Sequence, residues 1–295
     1  MARGMTLLAA AMAACLAAGC TPAEAPAGAD TDAAAKAPAE AARSVSTIAE
    51  AFLSPMTPDD NIDSPAAWKA PDGKTWLIAT AKATDKLVVY DGSNGQHLRD
   101  VGATGTALGQ FDRPNGISVT DDLLWIVERD NHRVQVFSLP DFTPLAVFGA
   151  DDLRKPYGLW VDRRADGYSV YVTDSWDNGE DAQGKDILPP LAELDKRVRQ
   201  YHVTRDGAKV QATLAASIGD TSEAGALRVV ESIWGDPAND RLLIAEEDES
   251  YASEFKVYTL AGRFTGTTFG RDVFKAQAEG VMLRTCGKDG WWITT

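Results

Sequence analysis

The stretch LLWIVERDNHRVQVFSLP, residues 123–140, decides the fold class. It begins with an apolar run, crosses a polar turn and returns as a second run in which apolar and polar residues alternate. Alternation with a period of two and an enrichment in β-branched residues indicate strands, so the stretch predicts an antiparallel hairpin. Three further stretches follow the same pattern, with an aromatic residue closing the second strand: 75–92, 168–207 and 242–262.

The hairpins recur at the spacing of a propeller blade. Val89 and Val136, which hold the same place in the first two hairpins, are 47 residues apart, and the longer third step contains a polar insertion at 175–197. Four-stranded units that repeat every 40–50 residues or so are typical of β-propellers. We therefore predict an all-β chain that forms a β-propeller.

The last residues, GWWITT at 290–295, predict the inner strand of a fifth unit. A propeller removes its sheet edges by closing its ring. We therefore expect a propeller of the six-bladed type, with about five blades present and the C-terminal part incomplete.

The N-terminus is typical of an exported bacterial protein. Arg3 precedes an apolar stretch at residues 5–18, and LAAGC at 16–20 is similar to a lipobox with Cys20 as the lipidated residue. Cleavage by the general signal peptidase, without lipidation, is the alternative. In either case the mature protein would act outside the cytoplasm, as an outer-membrane or periplasmic lipoprotein of the cell envelope or as a secreted protein.

Composition divides the chain into three parts. We predict a signal peptide at 1–20, a flexible linker rich in Ala and Pro at 21–46, and the propeller at 47–295. The linker contains no aromatic residue and no apolar periodicity, so it is not expected to form a packed core.

Four carboxylates follow one another in IAEEDESY, residues 244–251. Neighbouring carboxylates repel one another, so such a run is either well solvated or built around a cation. Composition alone favours the solvated loop, and the choice depends on the rest of the chain.

Several short motifs occur in a fixed order along the propeller region: DSPAAW (63–68), PYGLWV (156–161), YVTD (171–174), VVESIW (229–234), IAEEDE (244–249) and AEGVML (278–283). In this order and spacing the chain resembles the β-propeller phytases, which are alkaline, calcium-dependent 3-phytases. The resemblance covers about four of that family's six blades. It implies an extracellular phosphomonoester hydrolase that uses Ca²⁺ and releases phosphate from calcium phytate (myo-inositol hexakisphosphate), with a metal-activated water attacking phosphorus in the propeller channel.

The resemblance also implies roles for individual residues. The calcium ligands would be Asp63, Tyr157, Glu231, Glu247 and Glu279. Substrate phosphate would be bound by Lys82, Arg129 and Tyr157, and catalysis would depend on Lys82, Arg129 and Glu231. Calcium prefers six to eight oxygen ligands, so carboxylates delivered by several blades toward one axis would suit it.

The net charge of −14 limits the partners. A chain this acidic repels polyanions unless a bound metal reverses the local field, so nucleic-acid binding is not expected. We expect a small phosphate ester as partner, contact with a membrane only through the N-terminal lipid, and a monomer. The histidine acid phosphatase motif RHGxRxP does not occur in the sequence.

A second resemblance concerns residues 109–138, GQFDRPNGISVTDDLLWIVERDNHRVQVFS, which resemble an NHL repeat. NHL propellers often bind partners without catalysis, so the alternative is a non-catalytic NHL-like binding propeller anchored at the cell envelope. In that case Arg129, Asn131 and Arg133 would have structural roles. A lactonase-like hydrolase with one buried metal is a third, minor hypothesis.

Overall fold

The computed structural model describes residues 47–248, 250–271, 273–287 and 289–295. It divides the chain into Met1–Ile48 and Ala49–Thr295. The predicted signal peptide, the lipidation at Cys20 and the linker at 21–46 lie outside the described residues. Among the described residues, no helix has the length and apolar character needed to cross a membrane.

Ala49–Thr295 consists almost entirely of antiparallel strands, grouped into four four-stranded blades and one two-stranded sheet. Blade 1 comprises β1 (Ile62–Lys69), β2 (Thr75–Ala81), β3 (Lys86–Asp91) and β4 (His97–Val101). Blade 2 comprises β5 (Pro114–Thr120), β6 (Leu123–Glu128), β7 (Arg133–Ser138) and β8 (Thr143–Phe148). Blade 3 comprises β9 (Pro156–Arg164), β10 (Gly167–Asp174), β11 (Val198–Asp206) and β12 (Lys209–Ile218). Blade 4 comprises β13 (Val230–Asp236), β14 (Arg241–Glu246), β15 (Glu254–Tyr258) and β16 (Phe264–Phe269), and the fifth sheet comprises β17 (Val281–Cys286) and β18 (Asp289–Thr294).

The first strands of successive blades lie side by side, in the order β1, β5, β9, β13 and β17. Each blade runs outward from its first strand as an up-and-down meander. This is the arrangement of a β-propeller, and it confirms the predicted fold class. The first strands are therefore the inner strands, and they line the central channel. In the fifth sheet the inner strand is β17, so the prediction that residues 290–295 form the inner strand is wrong; residues 290–294 lie in its hairpin partner β18.

The predicted hairpin at 123–140 is formed by β6 and β7, which pair from Leu123 opposite Ser138 to Glu128 opposite Arg133. The polar insertion also lies where it was predicted. β10 ends at Asp174, β11 begins at Val198, and the residues between them leave and rejoin the sheet without disturbing its antiparallel pairing. Short 3₁₀ helices lie at Pro58–Asp60, Leu191–Lys196 and Pro237–Asn239.

Apolar side chains fill the spaces between adjacent blades. Trp125 of blade 2 is fully buried and packs against Tyr168 of blade 3, with ring centroids 5.3 Å apart. Trp160 packs against Tyr171 in the layer between blades 3 and 4. Such large aromatic side chains contribute to the packing between blades.

Three blades share one polar contact that fixes the start of the inner strand. The last residue of the second strand is a buried carboxylate that accepts hydrogen bonds from backbone N–H groups just before the first strand. In blade 2, Glu128 accepts from Asp112 at 3.1 Å, and in blade 3, Asp174 accepts from Lys155 at 2.7 Å. In blade 4, Glu246 accepts in the same way, so three of the chain's buried acids are used to hold the blades in shape.

Candidate functional site

A cavity of about 790 Å³ lies where the inner strands meet. Residues of β1, β5, β9 and β13 line it, together with the segment that leads into β17. Cavities of this size are typical of small-molecule sites. The predicted site residues among the lining side chains are Asp63, Lys82, Tyr157, Glu231 and Glu279.

Three of these side chains form a connected polar group at the cavity wall. The Lys82 ammonium lies 2.8 Å from an Asp63 carboxylate oxygen, and it donates to the Tyr157 hydroxyl at 3.5 Å. The Tyr157 hydroxyl in turn donates to Asp63 at 3.4 Å. Burial raises the pKa of the Tyr157 phenol, and the nearby carboxylates of Glu231 and Asp63 raise it further, so the hydroxyl stays protonated and can donate.

The position of Tyr157 and Glu231 depends on close contact between inner strands. Gly158 follows Tyr157, and a Cβ atom there would lie 2.2 Å from the Glu231 carbonyl oxygen. The Thr173 hydroxyl closes this contact, because it accepts from the Gly158 N–H at 2.8 Å and donates to the Glu231 carbonyl at 2.7 Å. Thr173 thus joins blade 3 to blade 4 at the backbone of Glu231.

Glu247 lies directly after β14 and is only 2% exposed. Neither of its carboxylate oxygens has a hydrogen-bond partner among the described residues. Burial raises its pKa well above the ordinary value, and the carboxylates of Glu231 and Glu279 raise it further. Burial also raises the pKa of Glu231, with a further contribution from Asp63. A group of buried acids that favour the protonated state is one that a cation would stabilise.

The run of four acids in IAEEDE therefore divides among different roles. Glu246 accepts from the backbone N–H groups of Arg228 and Val229, at 2.7 and 3.1 Å, and fixes the start of blade 4. Asp248 accepts from the backbone and hydroxyl of Ser250 and closes the turn. Glu247, between them, is left without a described partner, and Glu249 lies outside the described residues.

Arg129 is not among the residues that line the cavity. Its guanidinium bonds to the neighbouring Asp130 carboxylate, at 2.6 Å from Nε, and its backbone N–H donates to the Arg113 carbonyl. The structure therefore does not bring Arg129 together with the other predicted site residues, and its role in substrate binding stays a prediction.

Arg133 and Asn131, next to Arg129 in the turn of blade 2, contact Glu128. The Arg133 guanidinium donates to it at 2.6 Å, and the Asn131 amide donates at 2.6 Å. Arg133 also donates to the carbonyls of Thr106 and Gln110. These contacts make Asn131 and Arg133 structural residues of blade 2, as the NHL resemblance implied.

The predicted calcium ligands fit that ion by their chemistry but do not form a closed cage. Within the described part of the chain, no three His, Cys, Asp or Glu side chains lie close enough together to hold a metal ion. The donor atoms are nevertheless carboxylate and phenol oxygens, which calcium prefers, and the buried carboxylate of Glu247 has no described partner. The donor chemistry therefore suits calcium, whereas the described positions of the acids do not by themselves form a metal site.

Sequence reasoning missed Asn115 and the threonines of the second strands. Asn115 is fully buried, neither atom of its side-chain amide has a partner among the described residues, and its carbonyl accepts from the Thr80 hydroxyl at 2.7 Å. Thr80 and Thr173 each precede the last residue of a second strand, and each donates to an inner-strand carbonyl of the following blade. The repeated threonine in IATA and YVTD was the available signal.

Comparisons with known proteins agree with this architecture at the level of one blade. Residues 111–137 match the family model of the NHL repeat. The match lies within blade 2. No curated protein sequence matches the chain.

Many solved structures resemble the chain. One, from Bacteroides uniformis and named for a proposed 6-phosphogluconolactonase activity, is 14% identical with a TM-score of 0.46, over 73% of this chain and 58% of that one. Another is the nidogen/laminin complex, at 13% identity and a TM-score of 0.49, over 80% of this chain and 73% of that one. The chain thus spans less than two thirds of the length of the Bacteroides uniformis protein.

Proposed function

We propose that the protein is a calcium-dependent phosphomonoester hydrolase that releases phosphate from phytate at the central cavity. The observation that carries this proposal is the buried carboxylate of Glu247, which has no hydrogen-bond partner among the described residues and lies close to Glu231. Glu231 lines the cavity, and so does Lys82. A buried acid with no donor nearby is costly, and a cation removes that cost.

Asp63, Tyr157, Glu231, Glu247 and Glu279 would hold calcium. Bound there, calcium would neutralise phosphate charge and lower the pKa of a water molecule. The acids come from blade 1, from blade 4 and from the segment before β17, and the contacts between inner strands hold Glu231 in place before any ligand binds. This separation suits an ion that accepts a large and variable number of oxygen ligands.

Lys82 and Tyr157 would orient the substrate. The Lys82 ammonium can donate charge-assisted hydrogen bonds to phosphate oxygens, and the protonated Tyr157 hydroxyl offers a second donor 3.5 Å away. In the ligand-free protein the ammonium is paired with Asp63. A cation at Asp63 would compete with Lys82 for that carboxylate, and the ammonium would then be available to phosphate.

The net charge supports a role for a cation in binding such a substrate. The chain carries −14, and the cavity presents Asp63, Glu231 and Glu279 against the ammonium of Lys82. A polyphosphate would be repelled from this surface unless divalent ions compensated the acids. We also propose that the protein acts outside the cytoplasm, either secreted or anchored at the cell envelope through Cys20.

A second candidate function is a non-catalytic binding propeller. The NHL match at residues 111–137 favours it, and so do the structural contacts of Asn131 and Arg133. On this hypothesis the cavity would take no part in turnover, and amide substitution of its acids would leave partner binding unchanged.

Phosphate release from phytate by the full chain tests the proposal, measured with calcium and with excess chelator. We expect release that requires calcium and is lost in Glu247→Gln, because a neutral amide cannot balance the positive charge of a bound calcium ion. Glu193→Gln is the matched control, since Glu193 is exposed and does not line the cavity. Absence of release from folded protein, at any calcium concentration, would reject the hydrolase and leave the binding propeller.

A further inference from the structure

Residues 227–229 form a short connecting segment that leads into β13 and so into Glu231. The segment is bound from two sides. Its carbonyls accept from the Arg197 guanidinium, at 3.0 Å from Nε to Leu227 and from a terminal nitrogen to Arg228. Its N–H groups donate to Glu246, at 2.7 Å from Arg228 and 3.1 Å from Val229. The backbone groups of residues 227–229 that make these bonds therefore cannot move independently of Arg197 and Glu246.

The same segment is joined to Glu231, which lines the cavity, and to the buried acid Glu247. Glu231 lies two residues beyond Val229 in the chain. The Glu247 backbone N–H donates to the Val229 carbonyl at 2.9 Å. A displacement of the segment would therefore move Glu231 and Glu247 together.

Arg197 is completely buried, as is Lys256 among the described basic residues. It ends the polar insertion of blade 3, and its third contact is a 2.6 Å hydrogen bond to the Trp176 carbonyl. Burial lowers the pKa of the guanidinium to about 10, so it remains charged at neutral pH. Arg197 does not line the cavity, and it contacts the acids only through the backbone.

We propose that Arg197 is a positioning residue that holds the backbones of Glu231 and Glu247 in place by binding the carbonyl groups of residues 227 and 228. The expected effect of Arg197 on calcium binding and phosphate release rests on the proposed function. Its effect on the positions of the two carboxylates does not. The planar guanidinium is suited to this task because it offers several donors in one rigid fork, which a lysine ammonium cannot reproduce.

Blade 2 offers a matched control in Arg133. This arginine is also buried, and it also donates to backbone carbonyls ahead of the inner strand, those of Thr106, Ala107 and Gln110. The strand that follows, β5, carries none of the predicted calcium ligands. Arg133→Lys should weaken its blade as Arg197→Lys does, without moving Glu231 or Glu247.

Carbodiimide labelling of carboxyl groups, read by mass spectrometry on the full chain in chelator, tests the inference directly. We expect Arg197→Lys to raise the labelling of Glu231 and Glu247 several-fold, while Asp63, in blade 1, keeps the wild-type rate. Arg133→Lys should leave all three at the wild-type rate. Unchanged labelling of Glu231 and Glu247 in folded Arg197→Lys overturns the proposal, and so does an equal rise in Arg133→Lys.

Arg197→Gln, which keeps two donors but no charge, is the second variant, and folding of each variant is checked by near-ultraviolet circular dichroism. Hydrogen exchange of the unmodified protein adds a measurement that needs no variant. The amides of Arg228 and Val229 should exchange as slowly as those of β14, and fast exchange there would contradict the proposal.

Calcium titration then separates this inference from the proposed function. If the hydrolase proposal holds, calcium protects Glu231 and Glu247 from labelling in the wild type, and Arg197→Lys weakens that protection roughly tenfold, as expected for a residue that orients ligands. If calcium has no effect on the wild type, the hydrolase proposal fails, while the labelling in chelator still decides whether Arg197 positions the two acids.

Discussion

At the scale of single residues, the acidic run in IAEEDE shows how far sequence reasoning reaches. The family resemblance implied that Glu247 is a calcium ligand, and the structure buries its carboxylate without a described partner. The sequence could not reveal that Glu246 and Asp248 accept hydrogen bonds from backbone N–H groups. Those N–H groups lie in loops, and their positions depend on how the whole blade folds. Neighbouring residues of one type thus acquire different roles from their surroundings.

Glu247 should make the calcium-free protein less stable as the pH rises. Its pKa is raised on folding, so the folded state holds this proton above pH 4.5, where the unfolded chain releases it. The free energy of unfolding therefore falls with increasing pH from that point upward. Glu247→Gln removes the contribution of this carboxyl to the pH dependence. At pH 8 the free energy of unfolding of the variant should therefore be higher than that of the wild type by roughly 1–3 kcal/mol.

Urea unfolding in chelator at pH 5 and pH 8 measures this difference. Glu193→Gln, at an exposed position, should follow the wild type at both values. If Glu247→Gln loses as much stability as the wild type between the two pH values, its carboxyl is not the buried acid described here.

At the scale of elements, the strands and the insertion could be predicted, whereas the bonds between blades could not. Alternation and aromatic strand ends located the hairpins, since those signals arise within one strand pair. The threonine hydroxyls of β2 and β10 bond to carbonyls 35 and 58 residues away. The residue pattern of a single strand does not indicate a partner this far away in the sequence. The hydrogen bond from Thr173 that holds the Glu231 backbone therefore became apparent only in the structure.

Thr173→Val tests the contact between blades 3 and 4. Valine has nearly the same shape, but it leaves the Gly158 N–H and the Glu231 carbonyl without their shared partner. We expect a loss of roughly 1–3 kcal/mol in unfolding free energy. Thr80→Val, at the equivalent contact between blades 1 and 2, should cost a similar amount.

The two variants should differ in their effect on the cavity. Thr173 bonds to the backbone of Glu231, whereas Thr80 bonds to Asn115. Calcium-dependent phosphate release should therefore fall further in Thr173→Val than in Thr80→Val, when both are measured well below their unfolding temperatures. Equal losses of release would mean that the contact stabilises the fold without positioning Glu231.

At the scale of the whole molecule, the position of the cavity follows from the fold alone. Inner strands of successive blades must lie around one axis, so residues that begin those strands converge although they are far apart in sequence. Asp63 and Tyr157, in blades 1 and 3, meet for this reason. Most of the site residues that the resemblance named line this cavity, whereas Arg129 and Glu247 are not among the lining residues.

Calcium should stabilise the whole propeller if it binds across blades. A ligand that binds only the folded state raises its stability by mass action, by about 2.7 kcal/mol at a concentration one hundred times Kd. For a domain of this size that corresponds to a rise in Tm of roughly 5–10 °C. Because Glu247 contributes a carboxylate that has no described partner, Glu247→Gln should lose most of the rise, while Glu193→Gln keeps it.

Differential scanning calorimetry with calcium, with magnesium and with chelator makes the comparison. Magnesium demands a tighter octahedral geometry and retains its waters, so it should shift Tm far less across acids this widely separated. An equal shift with both ions would indicate diffuse screening of the −14 charge in place of a site between the blades.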